Sequence, residues 1–254
     1  MNFAVLGAGA WGTALALHLH RRGHTVTLTS RRVEHAAEMA STRENRDYLP
    51  GPRLPEDLQL GHEVKPALME ADVVVLACPA KGLRDLCERI AATRDSSWSI
   101  SALVAVCKGL DPETLELPVE VLREVLPDYP AGVLSGPTHA GGLAGGLPSA
   151  AVLAFAEDTP WTRELQGAFS DESFRLYFSD DPVGVSLGGS LKNVFAIASG
   201  CCDGLGLGDN AKAALLTRSY AEMVSIGAAL GGNPETFGGL SGIGDLVATS
   251  YGDW

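Results

Sequence analysis

The sequence predicts an α/β fold in which a doubly wound, mostly parallel sheet is followed by an all-helical second domain. Three observations carry this prediction. A Gly-rich segment follows the first apolar run, apolar β-branched runs then alternate with helical periodicity, and two long helical patterns replace the strands after about residue 180. We therefore place a domain boundary near Asp180, with a sheet domain over residues 1–180 and a helical domain over residues 181–254.

The strands of the predicted sheet are short, apolar and rich in β-branched residues. They lie at residues 3–6, 25–29, 72–78, 101–106, 131–135 and 150–155. Helical periodicity occupies residues 13–22, 33–41, 81–92, 117–125, 161–169, 183–198 and 210–230. The segment that contains Pro50, Pro52 and Pro55 is expected to be a loop. Because strands alternate with helices, we expect helices on both faces of the sheet.

Composition excludes several classes of protein. The chain has 254 residues, is 46% hydrophobic and 20% charged, and carries a formal net charge of −12. This acidity argues against a nucleic-acid or anionic-membrane partner, since those surfaces require basic patches. The five cysteines are odd in number and lack metal-ligand spacing with histidines, which predicts reduced thiols and no metal site. The sequence shows neither a signal-peptide pattern nor a bilayer-spanning apolar run, which favours a cytoplasmic protein without membrane insertion.

The most informative segment is Gly7-Ala8-Gly9-Ala10-Trp11-Gly12, because it lies between the first strand and the first helix. That context is the one that a dinucleotide fingerprint requires. Gly7 allows the tight turn, Gly9 lets the backbone approach a pyrophosphate, and Gly12 lets the helix pack closely on the strand. The free N–H groups of the helix N-terminus favour an anion there. The alternative is a Gly-rich strand-to-helix turn that binds nothing.

The end of the second strand, Thr29-Ser30-Arg31-Arg32, bears on the choice between NAD and NADP. NAD sites usually place an acidic residue at this position to bond the ribose diol. A guanidinium instead makes a two-pronged contact with a 2′-phosphate. Arg31 and Arg32 therefore favour NADP, unless both are solvated residues that open a helix. Trp11 is expected either to pack in the core or to form a wall of the cofactor site.

Lys192 is the first candidate for chemistry, because it is the only charged residue between Asp181 and Asp203. A lysine in an apolar segment is rarely buried without a role, and a semi-buried ammonium suits a group that gives and takes a proton. Gly188 and Gly189 lie one turn earlier and predict a close approach by another backbone or a ligand. The alternative is a lysine that extends its amino group to solvent.

Three further segments are candidates for the same chemistry. Lys108 follows the strand at 101–106, where a cation can meet a phosphate or a carbonyl oxygen, although a routine loop lysine is equally compatible. The turn Ser135-Gly136-Pro137-Thr138 offers hydroxyl and N–H groups. The segment Gly242-Ile243-Gly244-Asp245 places a carboxylate after a Gly-rich bend. The alternative for these last two segments is a local turn or cap.

Together, five segments resemble those of the NAD(P)-dependent glycerol-3-phosphate dehydrogenases of bacteria. Their order and spacing are compatible with that family from Met1 to about Thr249, and the combination is more specific than any single segment. They are Gly7-Ala8-Gly9-Ala10-Trp11-Gly12-Thr13-Ala14, Lys108-Gly109-Leu110, Ser135-Gly136-Pro137-Thr138-His139-Ala140, Leu187-Gly188-Gly189-Ser190-Leu191-Lys192-Asn193-Val194 and Gly242-Ile243-Gly244-Asp245-Leu246.

The resemblance implies a Rossmann domain and hydride transfer between sn-glycerol 3-phosphate and dihydroxyacetone phosphate, a reaction that supplies the glycerol backbone of phospholipids. The partner is then a small phosphorylated triose and the cofactor NADP or NAD. Lys192 is implied as the catalytic acid and base, and Asp245 is expected to orient and keep charged one of the lysines. The implied cofactor contacts are Ala10, Trp11, Arg31, Arg32, Lys108 and Ala140, and the implied substrate contacts are Lys108, Gly136, Thr138, Lys192 and Asp245.

The sequence also departs from the family pattern. Gly142 stands where members usually have Glu, and Ser190 where they have Ala. The Asn-Arg-Arg motif that holds the substrate phosphate is expected beyond Trp254, which predicts a truncated chain with an incomplete helical domain. On this interpretation the chain binds a dinucleotide with little turnover and self-associates through the exposed apolar face of the helix at 210–230. The alternatives are a catalytically impaired dinucleotide-binding fragment, and another reductase with a Rossmann and a helical domain that acts on a hydroxyacid or ketoacid.

Overall fold

The structure, a computed structural model, describes residues 1–95 and 98–252, so Asp253 and Trp254 at the end of the predicted helical domain lie outside the described residues. The strands are β1 (Asn2–Leu6), β2 (Thr25–Thr29), β3 (Glu44–Asn45), β4 (Leu49–Arg53), β5 (Gln59–Gly61), β6 (Val73–Leu76), β7 (Ala102–Ala105), β8 (Ala131–Ser135), β9 (Ser149–Ala154) and β10 (Phe174–Ser179). The α-helices are α1 (Ala10–Arg21), α2 (Val33–Thr42), α3 (Val64–Leu68), α4 (Leu83–Ala92), α5 (Pro118–Val125), α6 (Ala140–Ala144), α7 (Pro160–Phe169), α8 (Pro182–Gly204), α9 (Gly208–Ala229) and α10 (Asp245–Tyr251).

Within the described residues, eight strands form one sheet in the order β10-β9-β8-β7-β6-β1-β2-β5. Neighbouring strands are parallel except β8 and β9, which are antiparallel. The chain passes from β1 to β2 on one side and returns to β6 on the other. This reversal makes a topological switch point at the carboxyl end of β1, where sheets of this kind bind ligands.

The sheet separates two apolar cores. Phe3 and Val5 of β1 face the core that contains α1 and α7, whereas Ala4 and Leu6 face the core that contains α4 and α5. This alternation follows from the two-residue period of a strand whose two faces are both covered. The predicted doubly wound, mostly parallel architecture is confirmed.

The two long helices after β10 join the second of these cores. The carboxylate of Asp181 caps α8 by accepting a hydrogen bond from the backbone N–H of Gly184 at 2.8 Å, and Pro182 occupies the first turn. Apolar side chains of α8 and α9 pack with the core beneath α4 and α5; they include Val185, Leu187, Phe195, Leu216 and Met223. The helical segment is therefore held against one face of the sheet.

Three local expectations were wrong or incomplete. The Pro-rich segment around residues 50–55 is not only a loop, because β3 and β4 form an antiparallel hairpin there. β10 was not expected, although it extends the sheet beside β9. α1 begins at Ala10 rather than at residue 13, so the last part of the Gly-rich segment forms the first turn of the helix. Among the described residues, no helix has the length and apolarity needed to cross a membrane.

Candidate active site

The Gly-rich turn between β1 and α1 requires glycine at two positions, Gly7 and Gly12. Gly7 has φ +126°, and a Cβ on it would lie 2.5 Å from the carbonyl oxygen of Ala77. A Cβ on Gly12 would lie 2.0 Å from the carbonyl oxygen of Gly7, so the helix can approach the strand only without that atom. Gly9 instead borders open space, and the free N–H groups of the first turn of α1 are presented beside it.

A groove of about 400 Å³ lies at this turn, a size typical of small-molecule sites. Its walls are residues 7–9, residues 29–32, residues 77–79 and side chains from the start of α4. Arg31 and Arg32 line it from the end of β2, and both are exposed. The groove thus lies at the switch point of the sheet and combines an N–H-rich turn with two guanidinium groups. This geometry fits a dinucleotide, with its pyrophosphate at the turn.

A buried hydrogen-bond network supports this turn from behind. Nδ2 of Asn45 donates to the carbonyl oxygen of Ala8 at 3.0 Å and to Oγ1 of Thr13 at 2.7 Å. Oδ1 of Asn45 lies 2.9 Å from Nε2 of His35, whose Nδ1 lies 2.8 Å from Oγ of Ser30. The network joins the Gly-rich turn to the end of β2, so the two sides of the groove are held in a defined relation.

The polar centre of the site is formed by two lysines and one carboxylate. Nζ of Lys108 lies 2.5 Å from Oδ2 of Asp245, and Nζ of Lys192 lies 3.0 Å from Oδ1 of the same carboxylate. Lys192 and Asp245 are buried, at 6% and 2% exposure, whereas Lys108 is partly exposed. Two amino groups that share one carboxylate leave an excess of cationic groups, which suits an anionic ligand.

The same network reaches the turn after β8. Nζ of Lys108 also donates to the carbonyl oxygen of Gly136 at 2.9 Å, and Oγ1 of Thr138 donates to that oxygen at 3.2 Å. The structure therefore joins Lys108, Gly136, Thr138, Lys192 and Asp245, which the sequence predicted as substrate contacts, in one continuous network.

Close packing of α8 brings Lys192 to this centre. A Cβ on Gly188 would lie 2.7 Å from the carbonyl oxygen of Ser241, and a Cβ on Gly189 would lie 2.6 Å from Oγ of Ser135. The predicted close approach by another backbone is confirmed at Gly188, whereas Gly189 meets a side chain. Because neither residue carries a side chain, α8 lies directly against the segments that position Lys108 and Asp245.

Burial controls the electrostatics of Lys108. Desolvation lowers the pKa of its ammonium group, and the nearby Lys192 lowers it further, while the carboxylate of Asp245 opposes both by raising it. The predicted role of Asp245 in keeping a lysine charged agrees with this direction. A lysine with a lowered pKa can lose its proton at a pH closer to neutrality than an exposed lysine does.

Two contributors to the centre were missed in the sequence. Oγ1 of Thr249 accepts a hydrogen bond from Nζ of Lys192 at 2.6 Å. Oγ of Ser190 accepts a hydrogen bond from the backbone N–H of Gly109 at 3.1 Å and so ties α8 to the loop that follows Lys108. The spacing of four residues between Asp245 and Thr249 was the available signal, because it places both on one face of a helix.

Three other predicted cofactor contacts lie apart from this network. Ala10 is the first residue of α1, where its N–H belongs to the unpaired first turn. The ring of Trp11 packs edge-on against Phe174, with 6.3 Å between centroids, which favours a core position. Ala140 begins α6, which packs against α1 through hydrogen bonds from Arg21 to the carbonyl oxygens of Leu143 and Ala144.

The five cysteines are free thiols. Burial raises the pKa of Cys78, which lines the groove, to about 11, so that thiol stays protonated at neutral pH. Within residues 1–95 and 98–252, no group of three or more His, Cys, Asp or Glu side chains is arranged to hold a metal ion.

Comparisons with known proteins agree with this geometry. A family model for the N-terminus of NAD-dependent glycerol-3-phosphate dehydrogenase matches residues 2–160, and one for its C-terminus matches residues 181–254. Curated glycerol-3-phosphate dehydrogenases (NAD(P)+) of Nitrosomonas eutropha and Thermus thermophilus are 48% and 49% identical, over 100% and 99% of this chain and 75% and 76% of their own lengths. The crystal structure of glycerol-3-phosphate dehydrogenase from Coxiella burnetii matches 99% of this chain and 76% of its own, with a TM-score of 0.92 and 38% identity.

Proposed function

The chain belongs to the NAD-dependent glycerol-3-phosphate dehydrogenase family, and we propose that Lys192 is the residue that moves the proton in its reaction. That reaction is the NAD(P)-linked interconversion of sn-glycerol 3-phosphate and dihydroxyacetone phosphate, an oxidoreduction in which the partner is a small phosphorylated substrate. The observation that carries the proposal is the burial of Lys192 with its amino group held between Asp245 and Thr249. Both contacts come from α10, so the buried amino group of Lys192 is held at a fixed position.

The proton balance follows from the chemistry of ketone reduction. A dinucleotide held at the Gly-rich turn would supply a hydride, which brings two electrons to the carbonyl carbon. The carbonyl oxygen becomes negatively charged as the C=O π bond breaks, and the ammonium of Lys192 donates a proton to it, which leaves a hydroxyl group and a neutral amine. In the oxidation of glycerol 3-phosphate, the neutral amine of Lys192 takes the hydroxyl proton instead.

Lys108 and Asp245 have supporting roles in this proposal. Lys108 lies at the partly exposed side of the network, where its positive charge can stabilise the oxygen that becomes negative. Asp245 holds both amino groups at fixed positions, because each of its oxygens bonds one lysine. The turn of Gly136 and Thr138, which adjoins Lys108, completes the proposed substrate contacts.

The groove is the proposed dinucleotide site. Support comes from the unpaired first turn of α1 with Gly9 and Ala10, the tight turn at Gly7, and the approach allowed by Gly12. Arg31 is exposed on the groove wall, which favours the 2′-phosphate of NADP over the diol of NAD. Residues 1–180 then hold the cofactor, and residues 181–254 supply the acid and base. Trp11 and Ala140 remain proposed cofactor contacts only through the resemblance, because neither lines the groove and both pack against the core that contains α1.

We propose in addition that the chain forms a homo-oligomer through exposed apolar residues in the second half of α8 and just after it. The sequence predicted this surface on the helix at 210–230, but among the described residues of that range Leu230 is the only exposed large apolar side chain. Val194 and Ile197 are 64% and 71% exposed, and Leu205 and Leu207 after the helix are 73% and 58% exposed. Val194 and Ile197 lie three residues apart on one face of α8, and exposed apolar neighbours of this kind usually mark an interaction surface. Sedimentation at several protein concentrations tests this, and a monomer at all of them contradicts it. A cytoplasmic location is part of the same proposal.

The role of Lys192 is tested by Lys192→Met and Lys192→Arg. Both should lower kcat for dihydroxyacetone phosphate by roughly 10²–10⁴-fold, since methionine exchanges no proton and arginine stays protonated. The dissociation constant for NADPH, followed by nicotinamide fluorescence, should change less than about twofold, because Lys192 lies outside the groove. Lys65→Met, at an exposed position of α3, controls for the loss of one positive charge.

Retained turnover in Lys192→Met would assign the proton transfer to another group. Equal loss of cofactor binding in both variants would show a disturbed fold instead. If the chain without substitutions binds NADPH and substrate but shows no turnover, the catalytically impaired binding protein is favoured over the active enzyme.

A further inference from the structure

Arg31 and Arg32 follow each other at the end of β2, but they are not equivalent. Nη2 of Arg32 donates a hydrogen bond to Oδ2 of Asp47 at 2.5 Å, and its guanidinium lies 5.9 Å from the centroid of the Tyr48 ring. Arg31 has neither a hydrogen bond nor an ion pair within residues 1–95 and 98–252. Both arginines line the groove, so only one of them reaches it without a competing carboxylate.

Asp47 is positioned by the hairpin that carries it. It lies between β3 and β4, and the backbone N–H of Tyr48 donates to Oδ1 of Asn45 at 3.3 Å. Asn45 is buried and bonded to the Gly-rich turn and to His35. The backbone next to Asp47 is therefore held by the network that shapes the groove, and the carboxylate of Asp47 contacts Arg32 on the groove wall.

We propose that Asp47 is a specificity-determining residue that reduces the preference for NADPH by holding Arg32. The proposal rests on the assignment of the groove as the dinucleotide site. A two-pronged contact with a phosphate requires two adjacent N–H groups of the guanidinium. One N–H group on Nη2 of Arg32 is directed to Asp47, so fewer adjacent pairs stay free for a phosphate. The negative charge of Asp47 also offsets the positive charge of Arg32, so the pair presents no net charge to a 2′-phosphate.

The consequence differs for the two cofactors. NADH carries no 2′-phosphate, so its affinity does not depend on a free guanidinium at this position. NADPH depends on the charges at the end of β2, where Arg31 alone acts without a paired carboxylate. The pair is solvent-accessible, with side chains 51% and 45% exposed, so the effect is moderate and is screened by salt.

The experiment compares dissociation constants of the full chain for NADPH and NADH by nicotinamide fluorescence at low ionic strength. Asp47→Asn keeps the shape of the side chain and removes its charge. It should tighten NADPH by roughly three- to tenfold and leave NADH within about twofold, because the released Arg32 meets the phosphate. Removing both partners in Asp47→Asn with Arg32→Ala should return NADPH to about the affinity of the unchanged chain.

Asp57→Asn is the matched control. Asp57 is an exposed carboxylate that pairs with His20 at 2.9 Å, whereas Asp47 pairs with Arg32. Asp57→Asn removes the same charge as Asp47→Asn. An equal gain in affinity for NADPH would therefore show a general effect of net charge and overturn the inference. No gain in Asp47→Asn would do the same, as would weaker NADH binding, which would mean that Asp47 bonds the ribose diol directly. A chain that binds neither cofactor would overturn the proposed function itself, and the inference with it.

Discussion

Three glycines of α8 differ in what an added methyl group would meet, so the same substitution has three expected outcomes. A Cβ on Gly188 would lie 2.7 Å from a backbone oxygen of Ser241, and one on Gly189 would lie 2.6 Å from the side-chain oxygen of Ser135. A Cβ on Gly200 would meet no heavy atom within 4 Å. Only the first two positions lie where α8 contacts the polar centre.

The magnitudes follow from two opposing effects. Alanine is favoured over glycine in a helix by about 0.8–1 kcal/mol, so Gly200→Ala should raise the free energy of unfolding by about that amount. At Gly188 a normal contact of about 3.4 Å requires the segments to separate by roughly 0.7 Å, and overpacking of this kind costs about 1–3 kcal/mol. Gly188→Ala should therefore be neutral to destabilising by about 2 kcal/mol. Lys192 lies one turn further, and a displacement of this size should lower kcat about 10- to 100-fold.

Gly189→Ala should lower kcat similarly, but a second substitution can relieve it. Oγ of Ser135 is buried and has no hydrogen-bond partner within the described residues, so Ser135→Ala removes the clashing atom without breaking a described bond. The nearest remaining atoms would be Cγ of Lys108 at 3.5 Å and Cβ of Ser135 at 3.7 Å, both ordinary contacts. Ser135→Ala should thus restore activity in the Gly189→Ala background and have no such effect on Gly188→Ala, whose clash is with backbone.

The assays are steady-state oxidation of NADPH with dihydroxyacetone phosphate and urea unfolding of each variant. Equal kcat for Gly188→Ala, Gly189→Ala and Gly200→Ala would refute the reasoning, because it would mean that close packing of α8 does not position Lys192. Rescue of Gly188→Ala by Ser135→Ala would refute it as well, since the two clashes would then share one cause.

Three further predictions concern the supports of the site. Asp245→Asn removes the charge that raises the pKa of Lys108, so the alkaline limb of the kcat/KM profile should move to lower pH; an unmoved limb would assign it to another group. Burial lowers the pKa of His18 below 6.5, so the folded state binds fewer protons than the unfolded state. The resulting contribution to the free energy of unfolding is complete above pH 6.5 and falls by up to about 1.4 kcal/mol per pH unit below it. Urea unfolding from about pH 7 to 5 should show a smaller slope in His18→Gln, and parallel slopes would contradict this. Asn45→Ala leaves the carbonyl oxygen of Ala8 without its side-chain donor, so unfolding should require about 2 kcal/mol less and NADPH should bind more weakly; an unchanged urea midpoint would contradict that role.

Local patterns were sufficient for much of the fold. The β1 strand, the Gly-rich turn and the alternation of strands and helices follow from short-range periodicity, which a sequence displays directly. The hairpin of β3 and β4 was hidden because Pro50 and Pro52 lie in β4, and proline cannot donate to a ladder of hydrogen bonds. It is tolerated because the hairpin stands apart from the main sheet. The π-helical turn at Leu240–Gly244 was likewise described in the sequence only as a Gly-rich bend.

The candidate site was predictable as separate residues but not as an arrangement. Lys108, Lys192 and Asp245 were each selected for residue type and local position. That both lysines share one carboxylate depends on contacts across 137 and 53 residues of chain, which no local pattern encodes. The same limit hid Asp47, since the side chain that competes for Arg32 lies on a hairpin that the sequence predicted to be a loop.

The order of strands explains how one ligand can engage both centres. The groove lies at the ends of β1, β2 and β6, while Lys108 and Gly136 follow β7 and β8, the next strands along the same edge. Neighbouring strands lie about 4.8 Å apart, so the ends of β2 and β7 are separated by roughly 15 Å. Two nucleotides joined by a pyrophosphate are long enough to span such a distance, so the proposed cofactor site and the proposed proton donor can serve one ligand. The helix α8 packs against this edge through Gly188 and Gly189 and places Lys192 beside Asp245, where the proposal requires the proton donor.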